Sequence, residues 1–127
     1  MIEWMKGMYG DDMQISWGKK HDYLGMNLDY SVPGEVRVDM VDYPKKIIGN
    51  FPEEIRTTSP TPASDHLFNV PPDDERKILD KERAAAFHHA VAQLLFTALQ
   101  ARKDTQTAVA FLMARVQAPN DYDWRML

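Results

Sequence analysis

Apolar and polar positions alternate with a period of two in the first third of the chain and with a helical period in the last third. Met13-Gln14-Ile15-Ser16-Trp17 alternates and predicts a strand. Residues 21–31 predict a second, with Tyr23, Leu24, Met26, Leu28 and Tyr30 supplying its apolar side. Val36, Val38 and Met40 alternate with Glu35, Arg37 and Asp39, which predicts a third over 35–40. Between the last two lies Val32-Pro33-Gly34-Glu35. Proline presets one dihedral and glycine accepts a positive one, so this is a turn and the flanking strands form a β-hairpin. Residues 2–8 predict a short helix.

A second short helix is predicted over 42–50, with Asp42 at the N-cap, Pro44 in the first turn and Gly49 or Asn50 as its stop. Residues 52–80 contain Ser59-Pro60-Thr61-Pro62 and Pro71-Pro72-Asp73-Asp74 and read as an extended connector. Phe87, Val91, Leu94, Leu95 and Ala98 then recur at helical spacing and predict a long helix over 79–100, favoured further by Ala84-Ala85-Ala86. Another helix is expected over 105–117, capped by Asp104, with Ala108, Val109, Leu112 and Val116 on one face. Asp121 is placed to cap a last turn carrying Trp124. The fold class is therefore α+β: a small antiparallel hairpin sheet, a proline-rich connector and a C-terminal helical hairpin. Residues 1–127 read as one domain, divided into 1–51 (hairpin plus short helix), 52–80 (connector) and 81–127 (helical hairpin).

Composition sharpens this division. All six glycines fall at or before Gly49, and five of the eight prolines fall between Pro52 and Pro72. At 127 residues the chain is long enough for one ordinary domain. It has no cysteine, which excludes disulfides and thiolate metal sites and fits a reducing, intracellular setting. No apolar run approaches the roughly 20 residues of a membrane helix, and the N-terminus lacks the features of a secretory signal. The net charge is −4, with the acidity concentrated in residues 52–80 and a scattered excess of basic side chains after residue 80. That balance argues against a nucleic-acid binder acting by bulk charge alone.

Several residues suggest chemistry. Tyr9-Gly10-Asp11-Asp12 has the form of the polymerase box whose adjacent aspartates hold magnesium. Such a box needs apolar strands on both sides, and Trp4-Met5-Lys6-Gly7-Met8 is a poor strand, so Asp11 and Asp12 read as a polar turn. His88 and His89 are neighbours on a helix and point about 100 degrees apart, so they cannot chelate one ion. No glycine-rich phosphate loop or nucleophile motif is present.

The order of the motifs is more informative than any one of them. Tyr23-Leu24-Gly25-Met26 is followed by Tyr43-Pro44-Lys45-Lys46-Ile47 and by Pro60-Thr61-Pro62. Then come Phe87 to Phe96, Ala101-Arg102-Lys103-Asp104-Thr105, Ala108-Val109, and finally Pro119 and Trp124. This series resembles the part of copia-type retrotransposon reverse transcriptases that follows the palm active site. There an aromatic-Leu-Gly-hydrophobic hairpin, a short basic helix, a Thr-Pro connector and a helical block occur in the same order. The chain departs from the family at His88 (Arg there), Ala92 (Gly) and Lys103 (Pro).

The resemblance implies a primer-grip hairpin with Tyr23, Leu24, Gly25 and Met26 at the nucleic acid, held largely through backbone groups that position a phosphate. It leaves Lys45, Lys46, Arg102 and Lys103 as phosphate contacts. The family's catalytic box lies several tens of residues before the Leu-Gly motif, which makes Asp11 and Asp12 a decoy. The implied protein is a fragment of an RNA-directed DNA polymerase, inactive alone, with Mg2+ expected only for the complete enzyme. Its partners would be the missing palm and ribonuclease H parts with nucleic acid. The alternative is a non-enzymatic retroelement-derived structural or adaptor subunit in an unrelated protein complex. Either way, apolar surface around Trp4, Trp17, Tyr23 and Leu28 is expected to be exposed.

Overall fold

The computed structural model describes residues 1–55, 58–63, 65–72 and 77–127. The chain is α+β and forms two compact units, Met1–Asp39 and Met40–Leu127.

The first unit opens with helix α1, Ile2–Tyr9, and a single 3-10 turn, Gly10–Asp12. Strands β1 (Lys20–Tyr23), β2 (Met26–Asp29) and β3 (Arg37–Asp39) follow and form an antiparallel sheet in the order β1-β2-β3. The hairpin across Pro33-Gly34 is present: the Glu35 N–H donates to the Val32 carbonyl at 3.1 Å, and Gly34 has φ 83°. Two expectations fail here. Residues 13–17 are irregular, because no strand pairs with them. Ser16 and Gly18 instead hold the His21 ring, through Nδ1 at 2.8 Å and Nε2 at 3.0 Å. The long strand expected over 21–31 is two strands, folded back on each other at Leu24-Gly25.

The register sorts the sheet into two faces. Lys20, Asp29 and Arg37 form one cross-strand row, and Asp22, Asn27 and Asp39 form the next row on the same face. The other face carries His21, Leu28 and Val38, then Tyr23 and Met26. One face is therefore entirely polar and the other largely apolar. No residue from 1 to 39 is buried. Trp4, Trp17 and Tyr23 are exposed as expected, whereas Leu28 is half-buried.

The second unit holds α2 (Asp42–Asn50), α3 (Lys81–Gln100), α4 (Gln106–Met113) and α5 (Asp121–Met126). Helix α2 packs on α3, with the Tyr43 and Phe96 rings edge-to-face at 5.4 Å and Ile47 buried. The cap is Val41, without a side-chain bond, and Asp42 is already helical. Gly49 lies inside the helix and Asn50 is its last residue, as expected, with Phe51, the residue preceding Pro52, turning extended as the C-cap. Helix α3 starts where Asp80 accepts from the Arg83 N–H at 2.9 Å. The next helix is shorter than expected. Lys103–Thr105 form a 3-10 turn and Asp104 pairs with Arg102 instead of capping. Helix α5 is capped by Asn120, not Asp121: the Asn120 side chain accepts from the Tyr122 and Asp123 N–H groups, and the Asp123 carboxylate accepts from the Asn120 N–H. Of the connector, Asp73 and Asp74 lie outside the described residues. Its end is tied down, since Leu79 donates to Pro119 and Asp121 to Lys77, making an isolated bridge between Ile78 and Asn120.

Phe87, Val91, Leu112 and Trp124 form the core of this unit, flanked by Phe51, Leu79, Phe111 and Val116. Burying each large apolar side chain contributes about 1.5–3 kcal/mol. The helical period that places Phe87 and Val91 on one stripe of α3 is thus also what holds α4 and α5 against it.

Candidate functional site

The Tyr23-Leu24-Gly25-Met26 segment is the tip of the β1–β2 hairpin. Tyr23 and Met26 are the last cross-strand pair, and Leu24 and Gly25 are the two turn residues. Both have positive φ, 52° for Leu24 and 77° for Gly25. A two-residue turn of this hand matches the right-handed twist of the strands and demands positive φ at both positions. Glycine adopts that conformation freely, whereas leucine loses about 1–2 kcal/mol there. Leu24 is nonetheless 62% exposed and Tyr23 59% exposed, so the tip offers an apolar side chain and an aromatic ring to its surroundings. Leu24 was expected on the apolar side of a strand; it stands in the turn instead.

Behind the tip, the polar face is internally compensated. Lys20 pairs with Asp29 at 3.6 Å. Hydrogen bonds from Ser31, aided by the Lys20 ammonium, hold the Asp29 carboxyl below the usual carboxylate range. On the apolar face the His21 ring is fixed at both nitrogens and meets Tyr30 edge-on at 5.9 Å.

The four basic candidates belong to the second unit and have different surroundings. Lys45 on α2 lies 3.7 Å from Asp42 one turn earlier, and Lys46 is exposed. Arg102 grips Asp104 with two hydrogen bonds, at 2.9 and 2.7 Å. Each partner stabilises the charged form of the other: the Asp104 carboxyl is held low by Arg102, and the Arg102 guanidinium is pushed up by Asp104. The Lys103 ammonium donates to the Leu99 carbonyl at the C-terminal end of α3. Arg102 and Lys103 therefore close the α3–α4 turn, which weakens the case for them as phosphate contacts.

Asp11 and Asp12 lie in the 3-10 turn after α1, with a helix before them and irregular chain after. No strand flanks them, so the rigid carboxylate pair of a polymerase box is not built. His88 and His89 are exposed on α3. Among the described residues no group of three or more His, Cys, Asp or Glu side chains converges as a metal site. No helix among them is long and apolar enough to cross a membrane.

Two features had no clear signal in the sequence. One is the buried Arg115–Asp123 ion pair, in which Asp123 is fully buried. The other is a cleft of about 650 Å³ in the second unit, lined mostly by apolar side chains including Ile47, Phe51, Leu67, Leu94 and Trp124. The cleft depends on residues far apart in the chain, and the ion pair on a turn that brings together residues eight positions apart.

No family model, curated protein or solved structure matches the chain.

Proposed function

We propose that the chain is the primer-holding part of a copia-type reverse transcriptase, gripping primer-template through the β1–β2 hairpin and not catalytic by itself. The order of motifs from Tyr23 to Trp124 supports this reading. The single observation that carries it furthest is Leu24, a bulky residue kept at φ 52° on an exposed hairpin tip. Strain of this kind is retained where a particular side chain is needed at a contact. Gly25 beside it has no Cβ, so a phosphate can approach the backbone. Mg2+ belongs to the complete polymerase on this reading, held by carboxylates other than Asp11 and Asp12.

The second reading, a retroelement-derived adaptor, is favoured by charge. Residues 1–39 carry four basic and seven acidic side chains, and Arg102 and Lys103 are engaged locally. Native purification followed by mass spectrometry separates the two. Palm or ribonuclease H peptides together with nucleic acid support the grip. A defined set of unrelated proteins without nucleic acid supports the adaptor.

A further inference from the structure

Ser16 and His21 lie five positions apart and are brought together by the bend at Gly18, whose φ of 122° favours glycine. The Ser16 Oγ stands 2.8 Å from His21 Nδ1, and His21 Nε2 stands 3.0 Å from the Gly18 carbonyl oxygen. A carbonyl only accepts, so Nε2 carries the ring proton and donates it there. In the neutral ring Nδ1 is then a bare lone pair, and the Ser16 hydroxyl donates to it. A hydroxyl, a base that receives its proton and a third group that fixes the tautomer of the base are the parts of an activated nucleophile. We infer that Ser16 and His21 form a nucleophile–base pair that takes the acyl group of small aryl esters.

The sheet supplies the positioning. His21 is the second residue of β1, opposite Leu28 and in one row with Val38 on the largely apolar face. The Tyr30 ring meets it edge-on at 5.9 Å, so the imidazole is held by packing as well as by hydrogen bonds. Ser16 is exposed and is followed by Trp17, itself 77% exposed, so the hydroxyl is reachable and has aromatic surface beside it. An aryl ester suits this open site because its ring can lie on that surface and its aryloxide leaves without first being protonated. Oγ attacks the carbonyl carbon while its proton passes to Nδ1, and the bond to the aryl oxygen breaks. The departing aryloxide takes the proton from Nδ1. Water then attacks the acyl carbon and gives a proton to Nδ1, the bond to Oγ breaks, and Oγ recovers that proton. The sum is ester plus water to acid plus phenol. This inference is independent of the primer-grip reading.

An alkyl fluorophosphonate reports the nucleophile, since attack by a serine hydroxyl expels fluoride and leaves a stable phosphonyl ester. Peptide mapping of the treated full chain should find Ser16 labelled about tenfold or more faster than Ser59, an exposed serine whose Oγ accepts from a backbone N–H, that of Thr61. S16A should remove the fast label. H21Q separates the base from the scaffold: glutamine can still accept from Ser16 and donate to Gly18 but takes up no proton, so a purely structural role survives it and the base role does not. Labelling of Ser16 and steady-state release of 4-nitrophenolate from 4-nitrophenyl acetate should both fall about tenfold or more in H21Q, with amide exchange of the β1–β2 bonds unchanged. If H21Q loosens the sheet, the rates of Ser16 and Ser59 in the wild type decide. Ser16 labelled no faster than Ser59, a folded H21Q chain labelled like wild type, or ester turnover that S16A leaves unchanged overturns the inference.

Discussion

Trp124 donates its indole N–H to a Glu53 carboxylate oxygen at 3.1 Å, across 71 residues of sequence. The same oxygen accepts from Arg83 at 2.8 Å, and the Arg83 guanidinium lies 5.4 Å from the centre of the Trp124 ring. The Phe51 ring stacks on the Trp124 ring, with centroids 5.2 Å apart. One side chain thus ties α5, α3 and the segment after α2 together.

Trp124→Ala should therefore destabilise the second unit by about 3–5 kcal/mol, the usual range for deleting a large buried aromatic side chain. Glu53→Gln keeps an acceptor and loses only half-exposed charge pairing, so it should cost no more than about 1 kcal/mol. Urea unfolding followed by tryptophan-independent circular dichroism measures both. Equal costs would contradict the central place given to the ring.

The Arg115–Asp123 pair predicts an asymmetry. Asp123 is fully buried and also accepts from the Asn120 N–H at 3.0 Å. Arg115→Met strands the carboxylate without its counter-ion and should cost about 3–5 kcal/mol. Asp123→Asn keeps an acceptor for the helix cap and should cost less. Denaturant midpoints of the two variants, measured side by side, decide the order.

The hairpin tip predicts stabilisation from a substitution that removes apolar surface. Leu24→Asn replaces a strained leucine with a residue that tolerates positive φ and should stabilise the hairpin by about 1 kcal/mol. Gly25→Ala should destabilise it by about 1–2 kcal/mol. Amide exchange of the β1–β2 backbone bonds reads both. If Leu24→Asn also weakens primer-template binding, leucine is there for contact and not for folding.

How far these features were legible varies with the range of the interaction that makes them. The Pro33-Gly34 turn, α2 and α3 follow from local chemistry and were readable. Leu24 was not: apolar alternation runs straight through a turn whose first residue is leucine instead of the usual asparagine. Met13 to Trp17 alternates well but has no strand to pair with, and alternation carries no information about partners. Asn120 caps α5 in place of Asp121 because the bridge opposite Ile78, 42 positions earlier, fixes the chain on either side of it and takes up the Asp121 N–H and carboxylate at Lys77, a pairing with no local signal. In the candidate site, Leu24 and Gly25 were named from motif order alone. That Arg102 and Lys103 have local partners became visible only in the α3–α4 turn.

Acid titration should expose the Arg102–Asp104 pair. Arg102 holds the folded-state Asp104 carboxyl below its ordinary value of 3.8. The stabilisation is therefore fully present above that value and is lost as pH falls through the lower folded one. Asp29, held low by Ser31 and Lys20, acts in the same direction. Both groups are on the surface, so the effects are small. Asp104→Asn should flatten part of the decline in stability below pH 3.8, with the wild type as reference. An unchanged acid limb would contradict the pairing.

The primer-grip account is tested most directly by the affinity of the full chain for a primer-template duplex as salt is varied. With Arg102 and Lys103 engaged locally, Lys46 and, on release from its exposed contact with Asp42, Lys45 are the candidate cations left for phosphate, so log affinity against log salt should fall with a slope of about −2. Gly25→Ala should weaken binding at every salt concentration while leaving that slope unchanged. A slope near zero, or an affinity indifferent to Gly25, would contradict the account and leave the adaptor reading in its place.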